Sequence, residues 1–167
     1  RGKNVGGSLV DETMVPLAKD IINKARTKSV KLFLPYDVIC GKTLDDTEPK
    51  GPYLIHEIPS GLMGLDIGPE TLATFNSILG QSQTVVWNGP MGVFEVDGFE
   101  AGTRGMGIHL ANCASNDTKV IVGGGDTAAA LETFGLLKEM THVSTGGGAS
   151  LELLSGNRLP ALEALES

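Results

Sequence analysis

The sequence is short of aromatic side chains, of cysteine and of positive charge. Only 5% of its 167 residues are aromatic, so its core has to be aliphatic, built from Met, Leu and Ile. The two cysteines, Cys40 and Cys113, stand far apart and match no metal-binding or redox spacing, which leaves buried free thiols in a reducing compartment. Lys and Arg number 13 against 20 Asp and Glu, for a net charge of −7. That acidic balance, without a basic run, argues against nucleic acid and anionic membrane as partners. A phosphorylated small molecule stays open, because backbone amides and a metal can neutralise phosphate without lysine. No apolar run approaches the roughly 20 residues of a membrane-spanning helix. The chain starts at Arg1 with no charged-then-apolar leader; a start without methionine reads as a fragment or processed chain, and the lack of a targeting segment fits the cytoplasm.

Glycine is what the sequence has in plenty, with 23 residues, many in short clusters. Their setting comes from the pattern around them. Val10, Met14, Leu17, Ala18, Ile21, Ile22 and Ala25 recur at helical spacing behind Asp11 and Glu12, which predicts an amphipathic helix. Residues 30–34 read as a buried strand stopped by Pro35, residues 41–52 as a polar surface loop, and residues 53–58 as a second strand. Pro69 starts a helix with Leu72, Phe75, Ile78 and Leu79 as its stripe and Gly80 as its end. Strands then follow at 84–87, 120–122 and 142–144. Between and after them come helices at about 99–112, at 128–133 and from near Ala149. Strands alternating with helices imply one α/β domain, a parallel sheet covered on both faces.

Three of those strands end alike. Thr84-Val85-Val86-Trp87 runs into Asn88-Gly89-Pro90-Met91-Gly92, residues 119–122 into Gly123-Gly124-Gly125-Asp126-Thr127, and residues 141–145 into Gly146-Gly147-Gly148-Ala149-Ser150. In a parallel sheet all three ends share one edge, where ligands of open α/β folds bind. A glycine-rich turn that opens a helix admits a ligand close to the main chain and points free N–H groups at it. Such turns before Ala128 and before Ala149 make anion sites, so Gly124, Gly125, Gly146, Gly147 and Gly148 are candidate contacts. No loop has the GxxxxGK[ST] form or holds a lysine. Asp126, the lone carboxylate of the two triplet loops, suits magnesium beside phosphates and equally suits a helix cap. Glu95, just past the first loop, is placed to accept from ribose hydroxyls, and Val93 and Phe94 to line an adenine slot; an exposed surface glutamate is the plainer reading.

Other chemistries fare worse. Residues 123–128 fit G-x-G-x-x-A, but the next strand ends in Ser144-Thr145 where a dinucleotide site needs an acidic residue. His56, His109 and His142 include no i, i+4 pair for a metal. Ser144 and Ser150 do not sit in G-x-S-x-G.

At its glycine loops the sequence closely resembles phosphoglycerate kinase. The strings that carry the resemblance are residues 64–69 (GLDIGP), 86–95 (VWNGPMGVFE), 123–127 (GGGDT) and 142–154 (HVSTGGGASLELL), in the family's order and spread over essentially the whole chain. The resemblance implies the C-terminal, nucleotide-binding domain of that enzyme. Its fold would be a Rossmann-like three-layer αβα arrangement with a parallel sheet, incomplete at its N-terminal side. It also implies magnesium-dependent phosphoryl transfer between 1,3-bisphosphoglycerate and ADP, giving 3-phosphoglycerate and ATP. By position, Gly64 would belong to the adenine pocket, and Asn88, Pro90, Gly92 and Val93 would line the nucleotide. Glu95 would hold the ribose, Asp126 would bind magnesium and Thr127 would lie beside the phosphates. Gly146, Gly147 and Gly148 would open the helix that stabilises the transferring phosphoryl group. Two departures stand out. Nothing corresponds to the family's N-terminal domain, which carries the basic patch for the glycerate substrate, or to its lysine-bearing GGAKVSDK segment. Leu62 stands where the family usually has tryptophan. The resemblance therefore implies negligible kinase turnover from this chain alone, and leaves a non-catalytic nucleotide-binding module or an inert interaction fragment as the alternatives.

Overall fold

Two kinds of strand pairing organise residues 5–144 and 146–156, the residues described by this computed structural model. The first is an antiparallel sheet ordered β2-β1-β3, made of β1 (Asp37–Gly41), β2 (Lys50–Leu54) and β3 (Met63–Ile67). The second is a parallel sheet ordered β4-β5-β6, made of β4 (Thr84–Asn88), β5 (Lys119–Gly123) and β6 (His142–Ser144). The helices are α1 (Val15–Thr27), α2 (Pro69–Leu79), α3 (Ala101–Ala114), α4 (Gly125–Thr133) and α5 (Gly147–Leu154).

The parallel sheet has the α/β character the alternation predicts. Period-two geometry sends Val85, Trp87, Val120 and Val122 to one face. There they pack with Met106 and Leu110 of α3 and Leu131 of α4, flanked by Leu72, Phe75 and Leu79 of α2. Glycines weaken the intrinsic propensity of α3, yet they serve its packing. A Cβ on Gly105 would stand 2.6 Å from Leu72 Cδ2, and one on Gly102 would overlap Asp66. A smaller core of Cys40, Ile58 and Leu62 lies under the antiparallel sheet.

Helix α2 begins at Pro69 and is capped by Gly80, as its sequence predicts. Its first turn is satisfied from outside. Gly68 offers no side chain, and the buried Asp37 of β1 accepts from Thr71 N–H at 2.8 Å and from Glu70 N–H at 3.1 Å.

Four expectations change. The apolar stripe of α1 exists, but no residue of the helix is buried. Residues 30–34 form no strand, and Val30, Leu32, Phe33 and Leu34 are exposed. An apolar run becomes a strand only where a neighbour answers its N–H and C=O groups, and no described strand lies against this one. The expected loop at 41–52 is shorter, since Gly41 closes β1 and Lys50 opens β2, while the strand expected at 53–58 ends at Leu54. Strands β1 and β3 were not predicted at all, because Asp and Gly, residues depleted from strands, interrupt them. Cover of the parallel sheet is uneven in consequence: the face opposite the core shows Val86 at 47% exposure.

Candidate functional site

The three glycine-rich strand ends do share one edge. Asn88 pairs in register with Gly123, and Gly123 with Ser144, so the parallel strands stop level. Thr145 lies outside the described residues. The helices after β5 and β6 start earlier than predicted, at Gly125 and Gly147. Glycines 125, 147 and 148 are thus inside the first turns, where helix N–H groups have no intrahelical partner.

The first two loops are locked together. Gly89 N–H donates to Thr127 Oγ1 at 2.7 Å, and Trp87 Nε1–H donates to Gly89 O at 2.7 Å. Thr127 is fully buried, and its hydroxyl holds the β4 loop against α4. Gly89 and Gly124 adopt φ of 99° and 94°, left-handed angles that glycine takes without strain. Farther along the loop, Met91 N–H (2.9 Å) and Gly92 N–H (3.3 Å) both point at Thr103 Oγ1.

Asp126 is exposed in the first turn of α4, where Gly124 is the cap and no side-chain capping bond forms. The helix-capping role is therefore not the one it takes. Among the described residues no three or more His, Cys, Asp or Glu side chains cluster as a metal site. A cation here would have one carboxylate and would complete its shell with phosphate oxygens and water, a donor set that magnesium accepts.

Gly64 lies on β3, away from those loops in sequence but linked to them by hydrogen bonds. Its N–H donates to Ser8 Oγ at 3.0 Å, while Leu65 O accepts from Val93 N–H at 2.9 Å. Gly64, Leu65, Asp66 and Met91 help to line a mainly apolar cleft of about 890 Å³ that Leu9 and Val10 also border. Pro90, Val93 and Glu95 are outside that lining; Val93 is half-buried and Glu95 exposed.

Sequence reasoning missed Asp66. It is 3% exposed, and its two oxygens accept from Ile67 N–H (2.8 Å) and from Gly102 N–H (2.7 Å) in the first turn of α3. Burial pushes its pKa up to about 6 against those two hydrogen bonds, with a small further push from Glu100. A Cβ at Gly92 or Gly102 would overlap this carboxylate. The signal was present in residues 64–69, but nothing in the sequence says which distant amide a strand aspartate meets.

Level parallel strands that end in glycine turns at helix N-termini define an open α/β fold of the kind that takes phosphorylated ligands at its strand ends. The comparisons narrow this. The family model described as phosphoglycerate kinase matches residues 1–157. The phosphoglycerate kinase of Nostoc sp. is 48% identical over 99% of this chain and 42% of its own length. A protein of Arabidopsis thaliana named phosphoglycerate kinase 3, cytosolic, is 46% identical over 99% of this chain and 41% of its own. The solved phosphoglycerate kinase of Coxiella burnetii superposes with a TM-score of 0.87 at 41% identity, covering 97% of this chain and 41% of that one. The chain belongs to the phosphoglycerate kinase family, and it spans about two fifths of the length of these relatives.

Proposed function

We propose that this chain is the adenine-nucleotide-binding part of a phosphoglycerate kinase, the magnesium-dependent enzyme that exchanges a phosphoryl group between 1,3-bisphosphoglycerate and ADP. The observation that carries the reading is the level row of glycine-rich strand ends, two of them opening helices, in a chain of that family. Residues 1–167 then form part of the C-terminal domain. The glycerate substrate is held by residues this chain does not contain. Relatives with cytosolic names favour a cytoplasmic setting.

On this reading Gly64 and Val93 meet the adenine, Glu95 accepts from the ribose, and Asn88, Pro90 and Gly92 flank the nucleotide. The N-terminal turn of α4, at Gly124 and Gly125, offers backbone N–H groups to the phosphates, the buried Thr127 beside them holds that turn to the β4 loop, and Asp126 holds magnesium. Magnesium, when bound, neutralises charge on the phosphate oxygens. Gly146, Gly147 and Gly148 bring the amides and positive dipole end of α5 to the transferring group. Phosphoryl transfer depends mainly on positioning and charge stabilisation. The hydrogen-bonded turns joined by Gly89 and Thr127 supply part of the first, and oriented amides supply part of the second. The lysines absent from these loops leave much of the phosphate charge to residues elsewhere.

Calorimetry with Mg-ADP, run beside a turnover assay, tests the proposal. Saturable binding with negligible turnover is expected. A folded chain that binds nothing contradicts the nucleotide site, and turnover within a few-fold of an intact kinase contradicts the separate glycerate site.

A further inference from the structure

The loop at 89–99 joins β4 to α3 and carries Val93 and Glu95. Glu95 is exposed, so its position depends on what holds its neighbours. Val93 hangs from Leu65 O, as described. On the other side Phe94 meets Phe134, the residue that closes α4, with ring centroids 6.4 Å apart and planes at 79°. The guanidinium of Arg104, in the first turns of α3, lies 4.9 Å from the centroid of the Phe134 ring. Arg104 Nη2 stands 3.8 Å from Glu100 Oε1, and Glu100 Oε2 accepts from Gly98 N–H at 2.6 Å. Phe94 is thus linked to Arg104 through the Phe134 ring, and Gly98 through the Glu100 carboxylate. In a chain with five phenylalanines, two are placed at this contact.

Edge-to-face aromatic pairs and a cation over a ring are directional as well as attractive. They act beside the backbone turns of the loop, where Val96 N–H donates to Val93 O at 3.1 Å and Phe99 N–H to Val96 O at 3.1 Å, and add side-chain ties that those turns do not supply. We propose that Arg104 and Phe134 are positioning residues, clamping Phe94 so that the Glu95 carboxylate is presented to the ribose hydroxyls of the bound nucleotide. The inference rests on reading Glu95 as the ribose-binding carboxylate.

The test compares Mg-ADP with Mg-2′,3′-dideoxy-ADP by calorimetry on the 167-residue chain, for wild type, Glu95→Gln, Arg104→Met and Phe134→Leu. The wild type should prefer ADP, and Glu95→Gln should lose that preference. Arg104→Met and Phe134→Leu should each reduce it by roughly two- to fivefold, the range of an exposed cation–π contact, with affinity for the dideoxy nucleotide unchanged. A preference kept in both clamp variants but lost in Glu95→Gln overturns the clamp and leaves the ribose reading standing. Equal weakening for both nucleotides overturns it too, since general damage to the fold would do that. No preference in the wild type, or no binding of either nucleotide, overturns the ribose reading and the clamp with it.

Discussion

Asp66 ties β3 to α3 through one buried carboxylate, with Gly92 of the 89–99 loop packed close against it, and its ionisation carries a testable sign. The folded protein raises its pKa to about 6 from 3.8. Between those values the folded state keeps a proton that the unfolded chain has lost, so this group's contribution is complete below about pH 4 and disappears as pH rises through 6. The stability of wild type minus that of Asp66→Asn, from urea unfolding, should therefore fall between pH 4 and pH 7. A flat or rising difference would refute the assignment. Gly124 offers a backbone test. At φ 94° an alanine would be strained by roughly 1–2 kcal/mol, so Gly124→Ala should unfold at lower urea than wild type. Part of the arrangement was legible residue by residue: the glycine turns and the strand-end edge they share followed from local pattern. Asp66, Asp37, Thr103 and Thr127 were not legible as they act, because each satisfies backbone groups far away in sequence, and sequence records neither partner nor distance.

The elements divide by whether they found something to pack against. Leu131 of α4 is fully buried in the main core. Leu131→Ala should cost about 2–5 kcal/mol, read from the urea midpoint at constant m-value. Helix α1 is the opposite case, with Leu17 at 53% and Ile21 at 49% exposure. Its periodicity gave the helix correctly, since spacing fixes the stripe, but a stripe does not reveal whether a partner is present. The same holds for residues 30–34, whose apolar run meets no strand among the described residues. Beside them, β4 has one strand neighbour among the described residues, and Phe33, Val86 and Trp87 border an apolar groove of about 280 Å³. Unpaired edges and open apolar faces favour association. Sedimentation should accordingly show concentration-dependent self-association, lowered in the Leu17→Glu, Ile21→Glu double variant while the urea midpoint stays nearly constant. A wild-type chain that remains monomeric at all concentrations contradicts this.

Across the molecule, the packed half and the open half are one fact seen twice. The parallel sheet, α2, α3 and α4 form a core that holds the glycine edge in register, while α1 and the 30–34 segment lie exposed in a chain spanning about two fifths of its relatives. On the proposed function, the glycine edge that this core holds is a nucleotide site. Trp87 is placed to report on it, at 4% exposure and with its indole N–H on the carbonyl of Gly89. The most direct measurement is Trp87 fluorescence during titration with Mg-ADP, in wild type and in Asp126→Ala, with circular dichroism on both. A saturable change that weakens by roughly tenfold or more without the carboxylate is the predicted result; folded protein with no change, or a change indifferent to Asp126, would contradict it.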